Sequence, residues 1–178
     1  METQVNTSEV TTRSVGIRFG LIAALISIAY FLILNVAGID MTRGFWNWIG
    51  YAITLAILVF AHMQFRDKGD GYMSYGQGMI IAVWIGLISG AISSVFTYLY
   101  IKFVDTGFLE IVRDRQIEAL QKQGMSDEQI DQALDMASTF MTAEAMFIYM
   151  FVGSIAITLI IALIVTIFTQ KKNPEPAF

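Results

Sequence analysis

The stretch Met79–Tyr100, MIIAVWIGLISGAISSVFTYLY, decides the fold class, because it has the length and composition of a membrane-spanning helix. A helix needs about 20 mostly apolar residues to cross a hydrocarbon core of about 30 Å, and this stretch contains no Asp, Glu, Lys or Arg. Small residues also recur here at every fourth position, on one helix face: Gly78, Ala82, Gly86, Gly90 and Ser94. We interpret this small-residue ribbon as a close-packing surface within a helix bundle, with a homodimer seam or an ion path as alternatives.

Three further stretches have the same character, so we predict an all-α, four-helix transmembrane bundle. The four predicted spans cover residues 19–39, 45–65, 79–100 and 145–168. Residues 1–18 form a polar N-terminal tail, residues 19–172 a single membrane domain, and residues 173–178 a C-terminal tail.

The composition agrees with a membrane protein. The chain has 178 residues, of which 56% are hydrophobic and 15% charged, whereas soluble domains are about 45–50% apolar and about 25% charged. Mean hydropathy is +0.61. The net charge of -4 argues against nucleic acid as a partner. The absence of cysteine excludes disulfides and thiolate metal sites.

The long connection between the third and fourth spans is predicted to hold a helical hairpin, at about residues 106–140. In the segment QGMSDEQI, Gly124 is suited to close one helix and Ser126 to cap the next. Gln129 lies three residues after Ser126 and completes a capping box. A second capping box, Ser74 with Gln77, precedes the third span.

The second hairpin helix carries a row of carboxylates. Asp127, Asp131 and Asp135 are spaced four residues apart and therefore share one face. We interpret this row as a solvated anionic face, and a site for a divalent cation or a basic partner remains open. No calcium-binding loop pattern is present.

The distribution of Lys and Arg predicts the orientation, because these residues are enriched in cytoplasmic segments next to the membrane. One side of a four-span protein would hold Arg13, Arg18, Arg66, Lys68, Lys171 and Lys172. The other side would hold Arg43, Lys102, Arg113, Arg115 and Lys122, and its long connection also carries nine carboxylates. We therefore expect cytoplasmic termini, with residues 101–144 external.

Polar groups within the predicted spans are few, and they form no recognisable reaction centre. His62 is the one ionisable side chain in the spans, and we interpret it as interfacial or hydrogen-bonded to a neighbour. Asp105, Glu144 and His62 are the candidate catalytic groups, but they show no mutual spacing pattern. We expect no enzymatic activity, no cofactor and no metal.

The residues also resemble a known family. The stretch GDGYMSYGQGMIIAVWIGLISGAISSVFTYLYIKFVD, followed by FLEIVRDRQIEALQKQGMSDEQIDQALDM, is similar to the bacterial domain-of-unknown-function family 4199. The resemblance covers about Ser14 to Lys172 and is strongest from Gly69 to Phe140. It implies a small four-span membrane protein and carries over no catalytic residues, because none are established for the family.

These observations favour an uncharacterised multi-pass inner-membrane protein with an accessory or scaffold role. Its partners are expected to be the lipid bilayer and, through the acidic external hairpin, another membrane protein or a second copy of the chain. A small transporter or channel component is the alternative, and the small-residue ribbon is the feature that favours it.

Overall fold

The computed structural model describes residues 10–39, 44–138 and 140–173, and these fold into six helices. The helices are α1 Thr12–Val36, α2 Gly44–Lys68, α3 Tyr75–Phe103, α4 Phe108–Lys122, α5 Asp127–Ser138 and α6 Ala143–Thr169. Within the described residues, the only β-type pairing is one isolated bridge between Met73 and Lys171. The predicted all-α class is confirmed.

Four of the helices, α1, α2, α3 and α6, are long and apolar enough to cross a membrane. The shorter α4 and α5 form the predicted hairpin between α3 and α6. Large apolar side chains cover the outside of the long helices, including Leu25, Ile33, Phe60, Ile80 and Ile160. An exterior of this kind suits hydrocarbon rather than water, so the four helices indicate a membrane protein.

Helix α3 lies at the centre of the bundle, where it packs against α1 and α6, whereas α2 packs mainly against α6 and α1. We call the end of the bundle that carries loop two (residues 69–74) the tail end, and the opposite end the hairpin end. The buried apolar core lies in the tail-end half. It comprises Val15, Phe19, Ala23, Ile57, Leu58, Ala61, Phe65, Met73, Ile81, Ala82, Ile85, Ala162 and Val165.

The first helix begins at Thr12, whereas the hydropathy pattern placed the span from residue 19. Thr11 caps it: the Thr11 hydroxyl accepts from the Ser14 backbone N–H at 3.1 Å, and the Ser14 hydroxyl accepts from the Thr11 N–H at 3.2 Å. Residues 12–18 therefore extend the helix beyond its most apolar part, with Val15 and Gly16 buried. Residues 40–43 of the connection between α1 and α2, including Arg43, lie outside the described residues, as do residues 1–9, 139 and 174–178.

Loop two is anchored at the tail end. The predicted capping box is confirmed: Gln77 Oε1 accepts from the Ser74 N–H at 2.7 Å, and Ser74 Oγ accepts from the Gln77 N–H at 3.2 Å. Met73 exchanges two backbone hydrogen bonds with Lys171, each 2.9 Å long. These bonds attach the start of α3 to the segment that follows α6.

Candidate functional site

The hairpin junction has the predicted geometry. Gly124 has a φ of +79°, and its N–H donates to the Gln121 carbonyl at 2.9 Å. Ser126 and Gln129 then exchange capping hydrogen bonds of 3.0 and 3.4 Å. A left-handed glycine followed by a capped helix start fixes the angle between two helices through local bonds. The structure thus confirms the helix–turn–helix junction.

Helix α4 has two apolar sides, which explains why its sequence shows no single clean stripe. Leu109 faces α5, where it lines a groove together with Leu134. Phe108, Ile111 and Val112 line a different cavity, which α4 shares with the membrane helices. Helix α4 is therefore placed between α5 and the bundle, and an apolar pattern split over two faces has a weak period.

The acidic row lies on the surface of α5, where Asp127, Asp131 and Asp135 are all exposed. Asp131 and Asp135 also line the groove between α4 and α5, a space of about 410 Å³ that includes Glu110 and Arg113. In the described part of the chain, no three His, Cys, Asp or Glu side chains are arranged to hold a metal ion. The acidic row is therefore exposed to solvent, and Arg113 lies beside Asp131 and Asp135 in the groove.

The small-residue ribbon of α3 faces α6. A Cβ added at Gly78 would lie 2.6 Å from Thr166 Cγ2, and one added at Gly86 would lie 3.2 Å from Ile155 Cα. A Cβ at Gly90 would meet Ser154 Cβ at 3.2 Å. The other two members, Ala82 and Ser94, are buried, with exposed fractions of 0% and 1%. The structure places the ribbon inside one protein chain, where α6 already occupies the contact.

Helix α1 makes an equivalent approach to the other side of α3. A Cβ added at Gly16 would lie 2.4 Å from Trp84 Cβ, and one at Gly20 would lie 2.7 Å from Ile88 Cβ. Backbones can come this close only where one partner lacks a side chain. Helix α3 thus contacts α6 through its own small residues and contacts α1 through the glycines of α1.

His62 is fully buried at the tail end and connects three helices. Its Nε2 donates to the Gly78 carbonyl of α3 at 3.2 Å, because a carbonyl can only accept. Its Nδ1 lies 2.7 Å from Thr169 Oγ1 of α6, and that hydroxyl is also 2.9 Å from the Val165 carbonyl. The prediction of a hydrogen-bonded histidine is confirmed, and the side chain is fully buried within the protein, with 0% exposed.

The three candidate catalytic groups are not brought together. Glu144 lies at the hairpin end, where its carboxylate accepts a hydrogen bond of 2.9 Å from the Lys102 ammonium. Asp105 follows α3 at the same end, and its backbone carbonyl accepts from the Phe108 N–H. His62 lies at the tail end, so neither carboxylate can share a reaction centre with it.

A cavity that the sequence analysis missed lies between the long helices towards the hairpin end. It has a volume of about 290 Å³, and seven serine and threonine side chains line it: Ser27, Thr54, Ser89, Ser93, Thr97, Ser154 and Thr158. We call it the hydroxyl cavity. Ser89, Ser93 and Thr97 are spaced four residues apart in the sequence, so the signal was present beside the small-residue ribbon.

A second cavity, of about 500 Å³, lies under α4 at the hairpin end, and we call it the hairpin cavity. Apolar side chains of α4 and α6 form much of its wall, and Asn35, Arg115 and Gln116 contribute polar groups. Asn35 donates a 2.7 Å hydrogen bond to the Tyr100 hydroxyl across the gap between α1 and α3. Phe31, Thr97 and Met150 line both cavities, which are therefore neighbours.

Comparison with known protein families gives one finding. A family model described as "Protein of unknown function (DUF4199)" matches residues 18–171, which is most of the chain. The resemblance inferred from the third span and the hairpin junction is thereby confirmed. A comparison with curated proteins and with solved structures finds no match.

Proposed function

The chain belongs to the DUF4199 family of proteins of unknown function, and from this premise we propose that it is a non-enzymatic multi-pass membrane protein whose external hairpin binds a basic partner. The carrying observation is the charge of α5. Asp127, Glu128, Asp131 and Asp135 are all exposed, and residues 127–138 contain no Lys or Arg.

The shape of the hairpin supports a binding role. Ile130 and Leu134 are buried, so α5 has a fixed inner face, while its carboxylates stay exposed, with Asp131 and Asp135 also lining the groove beside α4. Two such faces would repel each other, because like charges in contact raise the energy of an interface. A basic surface on another protein complements the row, whereas the same row on a second copy does not.

A photocrosslinking amino acid at Gln132, an exposed position on α5, tests this proposal in native membranes. We expect one discrete heterologous adduct, and about tenfold less of it in the triple variant D127N/D131N/D135N, because three exposed ion pairs of roughly 0.5 kcal/mol each are lost. A higher salt concentration should also reduce the amount of adduct, because salt screens exposed charges.

The matched control neutralises acidic residues at the opposite end of the bundle. Asp67 and Asp70 are exposed there, and the double variant D67N/D70N should leave the adduct unchanged. An adduct that is a dimer of the chain itself, or one that resists neutralisation of the α5 row, would contradict the proposal.

The proposed location is a bacterial inner membrane, with cytoplasmic termini and an external hairpin. Cysteine labelling can test this orientation, because the chain contains no cysteine of its own that would react. We expect Gln132→Cys to react with a membrane-impermeant maleimide in intact cells. Asp70→Cys, in loop two, should react only after the cells are permeabilised. The reverse labelling pattern would place the hairpin in the cytoplasm.

A transporter or channel component is the second candidate, and the hydroxyl cavity is the observation that favours it. The tail end opposes this role, because Leu58, Ala61 and Ile81 are each 0% exposed and close the bundle on that side. Movement of a solute across the membrane of liposomes that contain the purified protein would support a transport role.

A further inference from the structure

The serine and threonine hydroxyls of the long helices differ in their hydrogen bonding. Thr54 and Ser89 donate to the carbonyls four residues earlier, at 3.1 and 2.7 Å, and Ser94 donates to the Ala91 carbonyl at 3.2 Å. These bonds satisfy the hydroxyl within its own helix, as is common in membrane helices. Ser93 differs, because its Oγ is buried and has no hydrogen-bond partner among the described residues.

Ser93 is one of the residues that line the hydroxyl cavity, but less than 1 Å² of its Oγ is accessible in this side-chain conformation. A buried hydroxyl without a partner is unfavourable, so rotation of the Ser93 side chain towards a polar group inside the cavity would give it a partner. Thr97, one turn further along α3, lines the same cavity and is 4% exposed. Thr97 also lines the hairpin cavity, so Ser93 and Thr97 lie close to the place where the two cavities adjoin.

The rest of the lining indicates the chemistry of an occupant. No Asp, Glu, Lys, Arg or His is among the described residues that line the hydroxyl cavity. A charge at this depth would be unpaired and strongly unfavourable, so the occupant is uncharged there. Ile26, Ile53, Ile57 and Ile157 form an apolar wall that suits a hydrocarbon chain.

Phe31 lies at the boundary of the two cavities. Its ring packs edge-on to Tyr100, with the centroids 5.2 Å apart, and lies 6.2 Å from the ring of Phe108 at the start of α4. Phe31 therefore contacts both the bundle and the hairpin. A molecule in the hydroxyl cavity is covered on this side by α4 rather than by open solvent.

We propose that the hydroxyl cavity binds an uncharged lipid-like molecule, whose ester or hydroxyl group hydrogen-bonds to Ser93 and Thr97 and whose hydrocarbon chain lies along the isoleucine wall. The site is separate from the acidic row of α5, and it stands independently of the basic partner proposed above. The volume of about 290 Å³ is that of a small-ligand pocket and suits a single chain rather than a bulky lipid.

The experiment uses the full chain in lipid nanodiscs with a monoacylglycerol probe that carries a diazirine in its acyl chain. After irradiation, peptide mass spectrometry should place the label on cavity residues such as Ile26, Met150 and Ile157. Excess unlabelled monoacylglycerol should remove this label. A diazirine alkane of equal length should give about fivefold less label there, because it lacks the group that bonds to Ser93.

Two variants with matched controls separate binding from folding. Ser93→Ala should lower cavity labelling about fivefold, whereas Ser94→Ala should not, because the Ser94 hydroxyl is already bonded to its own helix. Gly50→Leu should block labelling by filling the cavity, since the space around a Cβ at Gly50 is open to 4 Å. Gly153→Leu, equally open and outside the cavity lining, should leave labelling intact.

The proposal is overturned by any of three results. Label confined to bilayer-facing residues such as Val152 and Ile160, unchanged in Ser93→Ala and Gly50→Leu, would show adventitious contact with the bilayer. Equal cavity labelling by the alkane would show that the hydroxyls do not recognise a polar group. A cavity that holds water and takes up no probe would assign the Ser93 hydroxyl to solvent.

Discussion

Replacing Gly16 by alanine should lower the free energy of unfolding by about 2–3 kcal/mol, as expected for overpacking at a tight contact. The added Cβ would lie 2.4 Å from Trp84 Cβ and 3.1 Å from the Ile81 carbonyl oxygen. Both neighbours are close to the α3 backbone, so no flexible side-chain end can move aside. Helix α1 must shift away from α3, and the contacts of Val15 and Phe19 in the core are loosened with it.

The measurement is reversible unfolding in mixed detergent micelles, followed by tryptophan fluorescence. Gly153→Ala is the control, because among the described residues nothing lies within 4 Å of a Cβ at that position. We expect it to change stability by less than about 0.5 kcal/mol. Equal stability of the two variants would show that α1 does not approach α3 as closely as the structure places it.

The same contacts predict a ranking along the bundle. Gly20→Ala should be nearly as harmful as Gly16→Ala, since its Cβ would meet Ile88 Cβ at 2.7 Å. Alanine at Gly86 or Gly90 should be milder, because the nearest atoms would be 3.2 Å away. Leucine at these two positions is too large for the space beside α6 and should prevent α3 from packing against it.

Replacing His62 by alanine should destabilise the protein by about 3 kcal/mol. The substitution opens a cavity at a fully buried position and removes the bonds to Gly78 and Thr169. Cavity formation alone costs about 2–5 kcal/mol for a large buried side chain, and each lost hydrogen bond about 1 kcal/mol, with partial relaxation reducing the total. The loss of stability should be greatest at the tail end of the bundle, where α2, α3 and α6 meet.

Met63→Ala provides the control for this substitution, because the adjacent methionine has a similar size and is 41% exposed on the outer face. Its expected effect is below about 1 kcal/mol. Hydrogen exchange of the backbone amides around Thr169 should rise in His62→Ala and stay unchanged in Met63→Ala. Similar destabilisation of both variants would mean that the volume of the His62 side chain, and not its hydrogen bonds, stabilises the protein.

The features that sequence predicts best are those built from neighbouring residues. The capping boxes at Ser74 and Ser126 need only a hydroxyl and a glutamine three residues apart, and both form as expected. Gly124 likewise acts through bonds to residues a few positions earlier. The four apolar helices follow from composition and length alone, since lipid imposes the same requirement on every span.

The features that sequence predicts poorly depend on which helix lies opposite. The repeat Gly86, Gly90 favours packing within a bundle but leaves a homodimer seam open, and in the structure it is α6 that lies opposite. The start of α1 at Thr12 was missed because hydropathy locates the apolar part of a helix and not its capped end. The position of His62 near the end of a span is visible in the sequence, whereas its burial by α3 and α6 is visible only in three dimensions.

The hydroxyl cavity could not be predicted for a related reason. Ser89, Ser93 and Thr97 form a regular series, but hydroxyls in membrane helices usually bond to their own backbone. Ser89 does so and Ser93 does not, and this difference depends on local geometry and on the opening between the helices. The pattern is visible in the sequence, whereas its separation into bonded and unbonded members is not.

The central position of α3 has a consequence for the order in which the chain assembles during synthesis. A ribosome releases α1, α2 and α3 before the hairpin and α6, and early segments of a chain can associate before later ones exist. Helices α1 and α3 can therefore meet at Gly16 and Gly20 first, while the face of α3 that carries Gly86 and Gly90 still lacks its neighbour. The bonds between Met73 and Lys171 can form only after α6 has been synthesised, because Lys171 follows that helix. A nascent protein stalled before Ala143 would expose that glycine face to the bilayer.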